Sequence, residues 1–282
     1  MKYTRVVKTA FSICTVVSLL ISALLFYNAR AIPKYTRMVD TGRQILETVL
    51  TMESQEKHYL IYQKGKTVDD VKDRIETLRK SVSAYEKSGL GDRPTQFFEF
   101  AVWEEAINLY ERLFDQFILY HSAVEKSIAD IRELEKRILA VIYSKMNPER
   151  GIIALQEIRI HEKGYLIYRN TAPPAYEMPF PDKRKEAVSH LLMWAGNDPR
   201  IEELIDEDNR LFDQITANYA SQDHTLVLIE KERARIANMA EKLSEEGHNR
   251  SYIAYRRCEF LSVILLIMWL IMGTTIVVTR TR

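Results

Sequence analysis

Glu162-Lys163-Gly164-Tyr165-Leu166-Ile167-Tyr168 repeats, at six positions of seven, a stretch that lies 106 residues earlier: Glu56-Lys57-His58-Tyr59-Leu60-Ile61-Tyr62. A second match follows in the same order. Arg112-Leu113-Phe114-Asp115-Gln116 recurs intact as Arg210-Leu211-Phe212-Asp213-Gln214, 98 residues on. Two ordered matches of this quality mark an internal duplication. Each repeated unit reads as a short helix, a second short helix and a long one.

The helix limits come from breakers and caps. Helix 1 runs from Arg43, or from Pro33, to Lys64, and Gly65 stops it. Helix 2 starts after Thr67, with Asp69 and Asp70 in its first turn, and ends near Ser88-Gly89. The loop Gly89–Pro94 follows. Helix 3 has neither Gly nor Pro from Thr95 to Asn147, and Asn147-Pro148 ends it. Helix 4 covers Gly151–Asn170. The Pro-rich loop Thr171–Pro181 leads to helix 5, Asp182–Ala195, and Gly196-Asn197-Asp198-Pro199 is the next turn. Helix 6 runs from Arg200 to Glu246, with a possible continuation past Gly247 into the apolar segment beyond.

Both long helices carry apolar residues at a spacing of three and four. In helix 3 the stripe runs Phe100, Trp103, Ile107, Tyr110, Phe114, Phe117, His121, Val124 and on to Ile142. In helix 6 it runs Ile201, Ile205, Asp208, Phe212, Ile215, Tyr219, Gln222 and on to Leu243. Such stripes are the seams of helical bundles, and their aromatic residues read as core.

Two uncharged segments of 19 residues, Thr9–Tyr27 and Phe260–Val278, flank this region. Each rises about 28 Å as a helix, the thickness of a bilayer's hydrocarbon. A cleavable signal peptide ending at Ala29-Arg30-Ala31 is the rival for the first, but its apolar run exceeds the usual length of about 7–15 residues. Lys2, Arg5 and Lys8 precede the first segment, and Arg280 and Arg282 follow the second. Both ends therefore read as cytoplasmic, which puts residues 28–259 outside the cytoplasm. With those five basic residues set aside, residues 28–259 hold 35 basic and 39 acidic side chains, against a strongly basic nucleic-acid binder. Two cysteines, Cys14 and Cys258, exclude a disulfide scaffold, and their different depths exclude a bridge between them.

The expected fold is all-α: two stacked four-helix bundles, built from two long and four short helices, between two transmembrane helices. The expected segments are a cytoplasmic end (1–8), a first span (9–27), an outer region (28–259), a second span (260–278) and a cytoplasmic end (279–282). A lower module takes 33–120 with 226–257, and an upper one takes 121–225.

These features resemble the helical bimodular sensor domain of bacterial chemoreceptors and sensor kinases, over residues 33–257. The resemblance rests on the two-span topology, the duplicated unit and a Glu-Lys-x-Tyr-Leu motif. Helix 4 carries the longer form, Arg159-Ile160-His161-Glu162-Lys163-Gly164-Tyr165-Leu166. Helix 1 departs from it, with Glu53 where the arginine would be. The resemblance implies a periplasmic sensor in a bacterial inner membrane, a small organic acid as ligand, a pocket in each module and a homodimer. Receptors of this family continue into a HAMP linker and an output region. The sequence leaves open a stand-alone sensor-like protein or a piece of a longer one.

Four charges interrupt apolar faces: Glu56, Glu162, Glu135 and Arg233. A buried charge needs a partner. The 106 offset relates Glu53 to Arg159, and the 98 offset relates Glu135 to Arg233. The expected pairs are thus Glu53 with Arg233 and Arg159 with Glu135. Two readings stand: cross-bundle salt bridges, or a ligand seat in which Arg159 or Arg233 clamps a carboxylate through its planar fork. The candidate ligand-binding residues are Arg159, Glu162, Glu135, Arg233, Glu53 and Glu56.

Enzymatic signals are weak. His161-Glu162 begins a metalloprotease-like word, but Tyr165 stands where the second histidine belongs. No phosphate loop or nucleophile elbow appears. The reading is a sensor with neither catalytic residues, metal nor cofactor. The competing class is a membrane-anchored helical adaptor that binds another protein.

Overall fold

The structure, a computed structural model, describes residues 2–62, 65–87, 100–168, 180–196 and 198–280. Six helices hold nearly all of them: α1 (Lys2–Tyr62), α2 (Gly65–Lys87), α3 (Phe100–Tyr143), α4 (Pro148–Tyr168), α5 (Phe180–Ala195) and α6 (Pro199–Arg280). Among the described residues there is no strand. The expected loop Gly89–Pro94 and residues 171–179 of the Pro-rich loop lie outside the described residues.

One expected helix start is passed, and one continuation left open by the sequence is realised. α1 passes from the first apolar segment through Pro33 without interruption. α6 passes through Gly247 into the second. Packing explains both, because tertiary contact overrides intrinsic propensity. A Cβ placed on Gly247 would lie 2.9 Å from Met38 Cβ and from the Tyr35 carbonyl oxygen. One on Gly42 would lie 2.7 Å from the Ala240 carbonyl oxygen. Gly247 is needed for this close antiparallel approach of α1 and α6, and that contact holds α1 helical beyond Pro33.

Local chemistry sets the other limits. α3 ends four residues before Asn147, which takes φ 56° ahead of Pro148. Proline disfavours the α conformation in the residue before it, and asparagine tolerates the left-handed one. Pro148 then opens α4, where its missing N–H costs nothing. α5 ends at Gly196, with φ 62° and its N–H donated to the Leu192 carbonyl at 3.2 Å. Asp198 caps α6 by accepting from the Arg200 backbone N–H at 2.9 Å.

The chain divides into two compact units: residues 1–112 with 229–282, and residues 113–228. In the first unit, Ile45, Val49 and Met52 of α1 are buried, with Val71, Ile75, Leu78 and Val82 of α2. Trp103, Ile107 and Tyr110 of α3 and Ile236, Ala240 and Leu243 of α6 are buried there too. In the second unit one apolar cluster draws on four helical segments: Leu134, Ile138 and Ile142 (α3); Leu155 and Ile158 (α4); Val188 and Leu191 (α5); Ile201 and Ile205 (α6). Each such side chain contributes about 1.5–3 kcal/mol when fully buried.

α1 and α6 are each long and apolar enough to cross a membrane. Their apolar windows are almost bare: Leu19, Leu20 and Phe26 on α1 and Phe260, Leu266 and Trp269 on α6 are exposed. Contiguous apolar surface on this scale suits lipid rather than water. Cys258 Sγ lies 3.9 Å from the Leu25 carbonyl oxygen, so α6 neighbours α1 there as well. Cys14 and Cys258 are both free.

Candidate functional site: two buried charge clusters

In the 113–228 unit, four charged side chains close a ring within the core. Glu162 and Arg159 lie one turn apart on α4, with Arg184 on α5 and Asp208 on α6. Arg159 Nη1 reaches Glu162 Oε2 at 2.5 Å, and Arg184 Nε reaches Glu162 Oε1 at 2.7 Å. Arg184 Nη2 meets Asp208 Oδ2 at 2.5 Å, and Arg159 Nη2 lies 2.8 Å from Asp208 Oδ1. Each carboxylate thus gives one oxygen to each guanidinium. All four residues are buried, Asp208 completely. Glu135 of α3 lies 3.5 Å from Arg159 Nε at the rim, and Asn209 Oδ1 accepts from Arg184 Nη1 at 2.7 Å.

Neighbouring residues bring Arg184 to this place. Gly164 has no side chain, which leaves room for the Phe180 ring at the start of α5. Arg184 lies one turn further along and rests its guanidinium on Phe212, 4.4 Å from the ring centroid. The weak edge of the ring is at Arg159. Its Nε and Nη2, like Asp208 Oδ1, make no hydrogen bond of good geometry, although the opposite charges touch.

Burial, and then the Asp208 carboxylate, push the Glu162 carboxyl above its usual range, against the pull of both guanidiniums. Burial works against the charge on Arg159, but Glu162 and Asp208 outweigh it and hold the guanidinium protonated.

The other unit carries the counterpart. Glu56 of α1 is buried and accepts from the Tyr110 hydroxyl of α3. Its other oxygen lies 2.5 Å from Arg233 Nη1 of α6. Glu53, one turn back and half-exposed, lies 3.7 Å from Arg233 Nη2 and 2.6 Å from Lys57 Nζ. Burial raises the Glu56 carboxyl against the pull of Tyr110 and Arg233. Lys57, then Arg233, lowers that of Glu53.

The structure therefore brings all six candidate residues into two clusters, three in each. The expected pairs exist but are secondary. Arg233 sits closer to Glu56 than to Glu53, and Arg159 closer to Glu162 and Asp208 than to Glu135. The reason is depth: the inner carboxylates have no water to solvate them and take the guanidiniums first.

Arg184 and Asp208 were not among the candidates. Asp208 stood visibly on the helix 6 stripe, 98 positions after Tyr110, which serves the matching place in the other cluster. Arg184 gave less signal, lying in the run Lys183-Arg184-Lys185. Only its spacing marks it: the buried positions 71, 75, 78 and 82 of α2 recur as 184, 188, 191 and 195 of α5. Arg184 thereby stands where α2 has Val71.

His121 is buried, with Nδ1 3.3 Å from Gln222 Nε2. Among the described residues, no group of three His, Cys, Asp or Glu side chains is placed to hold a metal. No protein-family model, curated protein or solved structure matches the chain.

Proposed function

We propose that this chain is a membrane-anchored sensor input, with residues 28–259 outside the cytoplasm as two stacked four-helix modules. A small organic acid is the ligand, and α1 and α6 relay its binding to the spans. The observation that carries the reading is the continuity of these two helices. Each runs unbroken from a bare apolar window into a helical core: α1 carries Glu56 to Arg233, and α6 carries Arg233 and, further on, the Asp208 that meets the buried Arg159 and Arg184. A ligand acts through such helices only if it binds one of two arrangements better than the other.

The ring supports the ligand class. Arg159 and Arg184 already hold two carboxylates, the group that a small organic acid would present. An acid would enter at the weak Arg159 edge and displace Glu162, which would swing outward or take up a proton.

The test is a thermal-shift screen of the full chain in lipid nanodiscs against small mono- and dicarboxylic acids. Stabilisation by a specific acid, weakened about 10- to 100-fold by Arg159→Lys and strengthened by Glu162→Gln, is the expected result. If no acid stabilises either the natural chain or Glu162→Gln, the carboxylate reading fails.

One observation favours an adaptor instead. Ile153, Ile160 and Ile167 of α4 are all exposed at seven-residue spacing, a face on which a partner helix could lie. Co-purification of a defined partner, lost in Ile160→Asp, would support that reading.

A further inference from the structure

The stretches of α1 and α6 that adjoin the apolar windows carry base and no acid. Residues 28–39 of α1 hold Arg30, Lys34 and Arg37, and residues 247–258 of α6 hold Arg250, Arg256 and Arg257, with no Asp or Glu in either. Residues 28–259 as a whole are slightly acidic, so this slice departs from its surroundings. The two stretches lie at one level, because Met38 packs on Gly247 and the Leu25 carbonyl neighbours Cys258.

Two of the six are already paired along α6: Arg250 with Glu246 at 2.5 Å and Arg256 with Glu259 at 2.9 Å. Arg30, Lys34, Arg37 and Arg257 are exposed and have no ion-pair partner among the described residues. They also share a side. At about 100° per residue, Tyr27, Arg30, Lys34 and Arg37 form one stripe on α1, about 120° round from Met38, Val39 and Gly42, which face α6. Arg257 lies about 100° round α6 from the residues that face α1. The helices are antiparallel, so both rotations lead to the same side of the pair.

Height selects what can meet these charges. Arg30 and Arg257 each stand three residues, about 4.5 Å, beyond the uncharged segments that end at Tyr27 and begin at Phe260. That is the headgroup layer, about 5–7 Å deep on each side of the hydrocarbon. Lys34 and Arg37 stand about 10 and 15 Å beyond, and their long side chains extend back toward it. Tyr27, Tyr252 and Tyr255 are exposed at this level, where an apolar ring with a polar tip is favoured.

We propose that this side of the α1–α6 pair is a seat for anionic phospholipid, in which Arg30, Lys34, Arg37 and Arg257 hold the headgroup phosphate while the acyl chains lie along the bare apolar windows. The guanidinium forks suit phosphate oxygens, and Lys34 adds a point charge. A free anion or an acidic protein would meet the cations but leave the windows bare, so the continuity of the two surfaces favours lipid. The inference rests on the part of the sensor reading that puts the windows in a bilayer, and on nothing that the charge ring binds.

The experiment uses the full chain in phosphatidylcholine vesicles with a trace of spin-labelled phosphatidylglycerol or spin-labelled phosphatidylcholine. The motionally restricted fraction of each label gives their relative affinity for the protein. The natural chain is expected to prefer phosphatidylglycerol by about 3- to 10-fold at low salt, less at high salt. The triple variant Arg30→Gln, Lys34→Gln, Arg37→Gln should reduce that preference at least about 3-fold. The charge-matched variant Lys136→Gln, Lys183→Gln, Lys185→Gln, exposed positions of the 113–228 unit, should leave it unchanged. No preference in the natural chain, or equal loss in both variants, overturns the seat. Loss of the preference to excess inorganic phosphate at matched ionic strength would mean a site for free anions and overturns the lipid assignment. A chain that does not enter the vesicles removes this inference and the membrane anchoring together. Acid binding that persists without lipid preference leaves the sensor reading standing and removes the seat alone.

Discussion

Arg184 offers the sharpest test of the charge ring. In Arg184→Leu, Glu162 and Asp208 lose one guanidinium each, and Arg159 alone faces both. The site then holds an uncompensated carboxylate where Asp208 has no exposed surface. Breaking a buried ion pair in this way costs about 3–5 kcal/mol. For a chain of this size, 1 kcal/mol corresponds to about 2–4 °C in Tm, so the expected drop is about 6–20 °C. The double variant Arg184→Leu, Asp208→Asn removes one charge of each sign and leaves Arg159 paired with Glu162. It should lie at least about 2 kcal/mol above the sum of the two single changes, the coupling expected of groups in direct contact. The assay is thermal unfolding of the full chain in nanodiscs, followed by far-ultraviolet circular dichroism. A drop of less than about 2 °C for Arg184→Leu, or strict additivity in the double variant, would refute the ring as a charge-balanced unit.

Tyr110→Phe removes the hydroxyl that donates to Glu56 and should lower stability by about 1–3 kcal/mol, read as a Tm drop with unchanged helix content. Gly42→Ala and Gly247→Ala push a methyl group into backbone across the α1–α6 contact and should each cost about 1–3 kcal/mol. Gly273→Ala, where nothing lies within 4 Å, should leave Tm unchanged. The folded chain holds a proton on Glu56 more tightly than the unfolded one, because burial raises its carboxyl. Its contribution is therefore present at acid pH and is lost as pH rises through the folded value. The Tm of the natural chain relative to Glu56→Gln should fall as pH rises from about 4 toward neutrality. A flat or rising difference counts against the buried carboxylate.

Much of the fold was legible because it depends on spacing along one chain. The 98 offset predicted from five residues holds across the core: Trp103, Ile107, Phe114 and Ile138 of α3 are buried, and so are Ile201, Ile205, Phe212 and Ile236 of α6. The 106 offset likewise aligns buried Val49, Met52 and Glu56 with Leu155, Ile158 and Glu162. Charges that break an apolar face announce themselves in the same way. The helix 1 start misplaced at Pro33 and the continuation through Gly247 that the sequence left open have one cause. Both residues weaken an isolated helix; Gly247 is buried where α1 and α6 press together, and Pro33, itself exposed, lies just before the α1 residues Tyr35, Met38 and Val39 of that contact, so packing outweighs their propensity.

Sequence alone determined that the chain is helical, that its unit is duplicated, that two segments suit a bilayer and that four charges on apolar faces needed partners. Each follows from composition or from a period of 3.6 residues, properties local to a helix. Tertiary structure decided who those partners are. Arg233 reached Glu56 rather than Glu53, and Arg159 closed a ring with Arg184 and Asp208, because partner choice depends on axial register and depth between helices far apart in sequence. A slide of one turn, about 5.4 Å, exchanges one set of partners for another without altering any helix, and no pattern within a single helix encodes it.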